Sequence, residues 1–523
     1  MVLNALARLS QKVTAGSLFT ADNAFSLSLS SSGRWNQPIL GDMNSIKSLQ
    51  STKSRGGGLV AIVLATLLCW GGASSDLIAQ EPAGRIEPAF VPLVPPQIPP
   101  AEVPAAPDAA LLDELNRLRA RLDSLEADQN KRASLEKAKK ATEAVKPTMK
   151  WSAQLQTDFY TFDQNPESQA AYGDIENGVD FRRARTALFG DYKLSEYRIE
   201  FDFAQSGRPT FLDVYGGLHD VPYLGRVRFG HFFEPFSMER MTSNRYTTFM
   251  ERAITDIFAP ARNTGVASNN TWDDEQGTWS FGAFRSDSDH YGDEIGDNFE
   301  TALTARVTRL LYYDDACDGR DLWHVGASYS FRGANNEVVR FRAQPEAREG
   351  AASPNVPFFV DTGNIPADTF QIVDLETALI RGPFSILAEY VYVPVNSQSQ
   401  GTLAFDGWFA QASYFLTGEH RPYNKKLATF DRLIPKTEFI RSGSDSSLNS
   451  GPGAWEIATR VSHLNLNDGP VHGGRITDWT IGLNWYLNPY LRVTTNYIYS
   501  MANSPTVDGT ATNIFGMRAG FEF

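Results

Sequence analysis

Cysteine is all but missing from this chain of 523 residues, where Cys69 and Cys317 are the two present. Cys69 lies in a stretch expected to be removed, so a disulfide framework or a thiolate metal site is excluded. Histidine is scarce at 7, and no pair has the His-x-x-x-His or His-Glu-x-x-His spacing of a metal enzyme. No metal or other cofactor is therefore expected. Long hydrophobic runs are lacking too. The main one, Leu59 to Trp70, falls well short of the roughly 20 residues a helix needs to cross a bilayer. From residue 150 onward lysine nearly disappears: 27 Arg and 5 Lys stand against 47 Asp and Glu. A chain this acidic is a poor partner for nucleic acid. There is no Gly-x-Ser-x-Gly elbow, and Ser462 and His463, being adjacent, face opposite sides of any strand. An enzyme is not expected.

What is present is alternation. In the last nine residues Phe515, Met517, Ala519, Phe521 and Phe523 share one parity, and Gly516, Arg518, Gly520 and Glu522 the other. Successive strand side chains point to opposite faces, so such a segment is apolar on one side and polar on the other. Tyr197, Ile199, Phe201 and Phe203 repeat the pattern against Arg198, Glu200 and Asp202. So do Trp455–Val461, Trp479–Trp485 and Leu491–Tyr499, with weaker runs between. Many strong runs begin or end on Trp, Tyr or Phe, as in the aromatic girdles of a membrane barrel. A mean hydropathy of −0.31 suits such a barrel, whose strands are only half apolar. A large soluble β-sandwich or propeller is the competitor. Against it stand the aromatic ends and polar faces that carry Arg and carboxylates.

Four regions follow. Residues 1–79 read as a leader and cleaved signal peptide: Lys53 and Arg55 precede the apolar Leu59–Trp70 and the small residues Gly71, Gly72 and Ala73. Residues 80–108 are a stiff Pro- and Ala-rich linker. Residues 109–146 form a short coiled-coil helix, with Leu111, Leu115, Leu118, Leu122 and Leu125 spaced alternately by four and three. Residues 147–523 are the barrel, and Pro147 ends the helical stretch.

From Trp151 to Phe523 the chain resembles the porin O and P family, the phosphate-selective porins of Gram-negative outer membranes. The resemblance rests on Val227-Arg-Phe-Gly-His-Phe-Phe-Glu-Pro-Phe-Ser-Met-Glu239, Thr242–Arg245, Thr248–Arg252 and Phe258–Val266. Gly453–Arg460 and Gly482–Pro489 continue it near the end. It implies an all-β transmembrane barrel of about 16 antiparallel strands, a homotrimer embedded in outer-membrane lipid, and passive anion transport. It also implies a third extracellular loop that folds inward. Here that loop follows Glu234-Pro235-Phe236 and includes Thr242 to Arg252, with Arg245, Glu251 and Arg252 as its candidate constriction residues.

Parity alone places Arg183, Arg185, Arg198, Arg228, Arg306, Arg460, Arg492 and Arg518 opposite the apolar faces. Guanidinium groups keep their charge and offer a planar fork of donors to phosphate or carboxylate oxygens. The alternative is that they pair with nearby acids: Glu200 is close to Arg198, Glu456 to Arg460 and Glu522 to Arg518. Glu251 equally braces the loop or contacts ions. One departure from the family is the dearth of lysine. Only Lys150, Lys193, Lys425, Lys426 and Lys436 occur, none in the matched constriction. Two functions therefore stay open: an arginine-lined channel for small anions including phosphate, and a general small-solute porin whose N-terminal segment, lying in the periplasm, tethers the outer membrane to the cell wall.

Overall fold

The computed structural model describes residues 109–143, 146–204, 207–286, 300–348, 355–439, 451–504 and 507–523. The expected leader, signal peptide and linker lie outside the described residues. Sixteen antiparallel strands close into a barrel. They are β1 Lys150–Gln164, β2 Gly178–Tyr192, β3 Ser195–Asp202, β4 Thr210–Val221, β5 Gly225–Phe233, β6 Arg262–Trp272, β7 Gly277–Arg285 and β8 Thr301–Tyr313. The remainder are β9 Asp321–Gly333, β10 Ile365–Arg381, β11 Phe384–Ser397, β12 Gly401–Phe415, β13 Ala454–Asp468, β14 Val471–Asn488, β15 Leu491–Asn503 and β16 Thr510–Glu522. Each pairs with the next. β1 also pairs with β16, from Gln154 opposite Glu522 to Gln164 opposite Thr512, so the sheet has no free edge.

Burial runs opposite to that of a soluble protein. On β14, Asp478, Thr480 and Asn484 are 0% exposed, whereas Trp479, Ile481 and Leu483 are 52%, 56% and 41% exposed. In water that exposed apolar surface would cost about 25 cal/mol per Å². The outer wall is therefore built for lipid, which removes the soluble sandwich and propeller from consideration. Among the described residues no helix is long and apolar enough to cross a membrane, and the strands do the crossing.

The inner face is not uniformly polar. Val393, Val395, Leu403, Phe405, Leu464, Leu466 and Ile476 point inward from β11 to β14 and are at most 2% exposed. They pack in one cluster with Phe236, Ile254 and Phe258 and with Phe341, Phe359 and Val360. The polar inward face read from the alternating runs therefore does not extend to this sector. In this part of the barrel two loops fold in and cover the wall, and the residues facing them are apolar for the reason any core is.

Residues Ala109–Glu143 form one helix. Leu111, Leu115, Leu118, Leu122 and Leu125 are each exposed by 45–59% along it.

Candidate functional site

Three segments enter the lumen. Residues 234–261 join β5 to β6, and residues 334–348 and 355–364, between β9 and β10, lie at the same end of the barrel. The third, 416–439, follows β12 at the opposite end, where β1 begins, β16 ends and the other connections are short. It meets the first where the Phe430 backbone N–H donates to Thr242 Oγ1 at 3.3 Å. Sequence reading anticipated the first of these segments and missed the other two, which carry no distinguishing periodicity.

The wall makes room for the first segment with glycine. A Cβ on Gly482 would sit 3.0 Å from the Phe249 ring, and one on Gly516 would lie 3.1 Å from Met250 Sδ and 2.6 Å from the Tyr160 ring. Such glycines in strand interiors mark a close approach of another segment. Asn484 Nδ2 then donates to the Thr248 carbonyl at 2.8 Å. Ser237 Oγ and the Glu239 N–H both donate to the Glu389 carboxylate of β11, at 2.6 and 2.8 Å.

Ion pairs hold the inward segments. Arg460 of β13 is 1% exposed and joins two of them, reaching Glu346 at 2.6 Å and Glu239 at 3.2 Å. Arg518 of β16 pairs with Asp158 of β1 at 2.5 Å and with Glu251 at 2.7 Å. Arg306 of β8 pairs with Glu376 at 2.6 Å and donates to the carbonyls of Leu427 and Ala428 in the third segment. Arg421, in that segment, pairs with Glu456. The short-range pairing considered from sequence therefore occurs at Arg198, 2.7 Å from Glu200, while Arg460 and Arg518 take partners distant in the chain. Breaking such buried pairs is costly because the remaining charge is left uncompensated, by about 3–5 kcal/mol.

The remaining candidates are placed as follows. Arg185 pairs with Asp202 at 2.7 Å and donates to Asn244. Arg228 pairs with Glu196 at 2.7 Å and stacks on Tyr215. Arg492 donates to the Thr247 carbonyl at 2.8 Å. Arg183 donates to Gln156 at 2.7 Å, and its Nε is buried without a partner. Arg252 donates to the carbonyls of Glu239 and Thr242, bracing its own loop. Glu251 accepts from Arg182 at 2.8 Å as well as from Arg518. Burial alone would raise its carboxyl, but Arg182, Arg518 and Arg183 hold it well below the usual carboxylate range.

A cavity of about 670 Å³ opens beside this network, lined by nine arginines and four carboxylates. Arg182, Arg183 and Arg185 come from β2, and Arg240 and Arg252 from the first inward segment. Arg262 and Arg332 come from strands, and Arg340 and Arg348 from the second inward segment. The acids are Asp202, Glu251, Asp256 and Glu346. Toward the termini a smaller space of about 30 Å³ is lined by Arg245, Arg421, Arg432, Arg492 and Arg518 with Asp431 and Glu522. Gln156 lines this second space and is bonded to Arg183 of the first. The two therefore lie on either side of the Arg182–Glu251–Arg518 contact. Sequence parity missed Arg182 because a bulge opposite Gln156 and Thr157 turns both Arg182 and Arg183 inward. It missed Arg240, Arg340 and Arg348 because loops have no parity.

Residues 149–523 match the family described as phosphate-selective porin O and P. Porin O of Pseudomonas aeruginosa is 26% identical over 396 residues, which cover 69% of this chain and 84% of that protein. Among solved structures, the trimer form of OmpT, an outer membrane protein of Vibrio cholerae, is 13% identical with a TM-score of 0.45, covering 72% of this chain and 99% of that one. An anion-selective porin from Comamonas acidovorans is 10% identical with a TM-score of 0.42, covering 72% and 100%.

Proposed function

Because the chain belongs to the phosphate-selective porin O and P family, we propose that this outer-membrane porin carries small anions, phosphate among them, passively along its arginines. The observation behind this reading is the excess of arginine over carboxylate around the lumen cavity. Rings of arginine select anions by lowering the cost of removing their water while repelling cations. Arg183 and Arg185 at the wide part, and Arg492 with Arg245 beyond the Glu251 contact, are the contact sites. Arg460, Arg306 and Arg518 act mainly as clamps that hold the constriction in place. Among the described residues no lysine lines either cavity, which supports passage of small anions in general over strict phosphate selection. In this reading the protein is a homotrimer with its N-terminal segment in the periplasm, and the exposed leucine seam of the helix joins copies.

Reversal potential across a planar bilayer in asymmetric chloride tests the proposal. Anion preference is expected, with phosphate reducing the chloride current. Cation preference would refute the arginine pathway. The helix, exposed along residues 109–139, favours one further reading, a tether to the cell wall. Deleting residues 80–146 separates the two, because a tether then fails while channel conductance survives.

A further inference from the structure

The larger lumen cavity has two unlike walls. One is the arginine wall of β2, where Arg183, 3.8 Å from Glu251, keeps one donor, its buried Nε, without a hydrogen-bond partner. At the rim Arg348, exposed, forms no ion pair among the described residues, so its guanidinium is also available. The other wall is apolar. Ile254, Phe258, Phe341 and Phe370 belong to the cluster that the two inward loops make with the barrel, and they line the same space. Two apolar side chains of that wall remain uncovered: Ile257 is only partly buried, and Val338 is 38% exposed.

A path for hydrated inorganic ions has no use for this second wall. Leaving apolar surface against water in a channel is unfavourable, and the surface is covered when a ligand brings an apolar body of its own. The volume of about 670 Å³ falls in the range of roughly 300–1,000 Å³ usual for small-molecule sites. Resting on the anion-channel reading, we infer that the cavity is a binding site for organic anions with an aromatic or apolar body, aryl carboxylates being the simplest. The carboxylate meets Arg183 and its neighbours, and the ring lies against Ile257, Val338 and Phe341.

Phthalate and succinate provide the test, since both are dicarboxylates and only one carries a ring. Each is titrated against the chloride current of the full-length channel in a planar bilayer. Burying one face of a ring is worth enough to place phthalate block at about tenfold lower concentration than succinate block. Arg183→Gln weakens block by both. Ile257→Ser with Val338→Ser brings the two concentrations together. Equal block by phthalate and succinate on the unaltered protein overturns the inference, with no need for any variant to fold. That outcome leaves the anion channel standing, whereas a cation-selective chloride measurement removes the channel reading itself.

Discussion

Two sectors of the same inner wall carry opposite chemistry. From β15 through β16 to β2 the inward positions bear Arg492, Arg518, Arg183 and Arg185, and they line a cavity. From β11 to β14 many of the inward positions bear Val393, Val395, Leu403, Phe405, Leu464 and Leu466, and they face the packed body of two loops. Apart from local bulges such as that at Arg182 and Arg183, both sectors obey the same two-residue period. The difference shows that a barrel's inner polarity follows what lies opposite each side chain rather than the bare fact of pointing inward.

The largest expected effect comes from putting the wrong chemistry into the apolar sector. Val393→Asp buries a carboxylate in that apolar cluster, and should cost about 3–5 kcal/mol, as an uncompensated buried charge does. Thermal unfolding in detergent, followed by heat-dependent gel mobility, measures it. A variant as stable as the parent would mean that water reaches this sector. Next in size is Arg460→Met, which strands Glu346 at 0% side-chain exposure and frees both loops. Destabilisation of similar order is expected, with a larger and noisier conductance in single-channel records. Arg183→Met in the arginine sector should do the reverse. It donates to neutral Gln156, and its contact with Glu251 is long at 3.8 Å while Arg182 and Arg518 still pair with that carboxylate, so stability changes by about 1 kcal/mol, while the permeability ratio of chloride to potassium falls. Unchanged selectivity would take Arg183 out of the pathway.

The smallest effect is one of pH. Burial pushes the Glu239 carboxyl up to about 7, with Asp256 acting in the same direction and Arg460 and Arg252 against it. Glu389, bonded to the Glu239 N–H, faces it from β11. A raised carboxyl favours the docked loop when protonated. Its stabilisation is full below the ordinary range near pH 4.5 and is lost as the pH rises to about 7. Loop-derived current fluctuations should therefore grow across that window in the parent and stay flat in Glu239→Gln. A parent channel with no such change would mean that Glu239 stays ionised throughout.

Much of this molecule was legible beforehand. Alternation at Trp479–Trp485 and at Phe515–Phe523 announced lipid on one face, and the family resemblance of the stretch from Val227 to Arg252 implied a loop that turns inward. Arg183, Arg460 and Arg518 were read as inward by parity alone. Their division into clamps and free donors was not legible, because it depends on partners. Arg460 finds Glu346 at 114 positions' separation and Arg518 finds Asp158 at 360, where nearer acids had offered themselves. Nothing in the sequence marks the segment 416–439 as entering the lumen, because its contacts, such as that of the Ala428 carbonyl with Arg306, are made with residues far away in the chain.

Side-chain alternation is a local consequence of extended backbone geometry, so the residue order by itself determined the strands, their faces and the membrane as solvent. Only the tertiary structure decided which inward faces meet open space and which meet protein. Three loops had to cross the lumen before an inward valine became core and an inward arginine became a clamp. The buried charge of each clamp is tolerable solely because a distant carboxylate arrives to meet it.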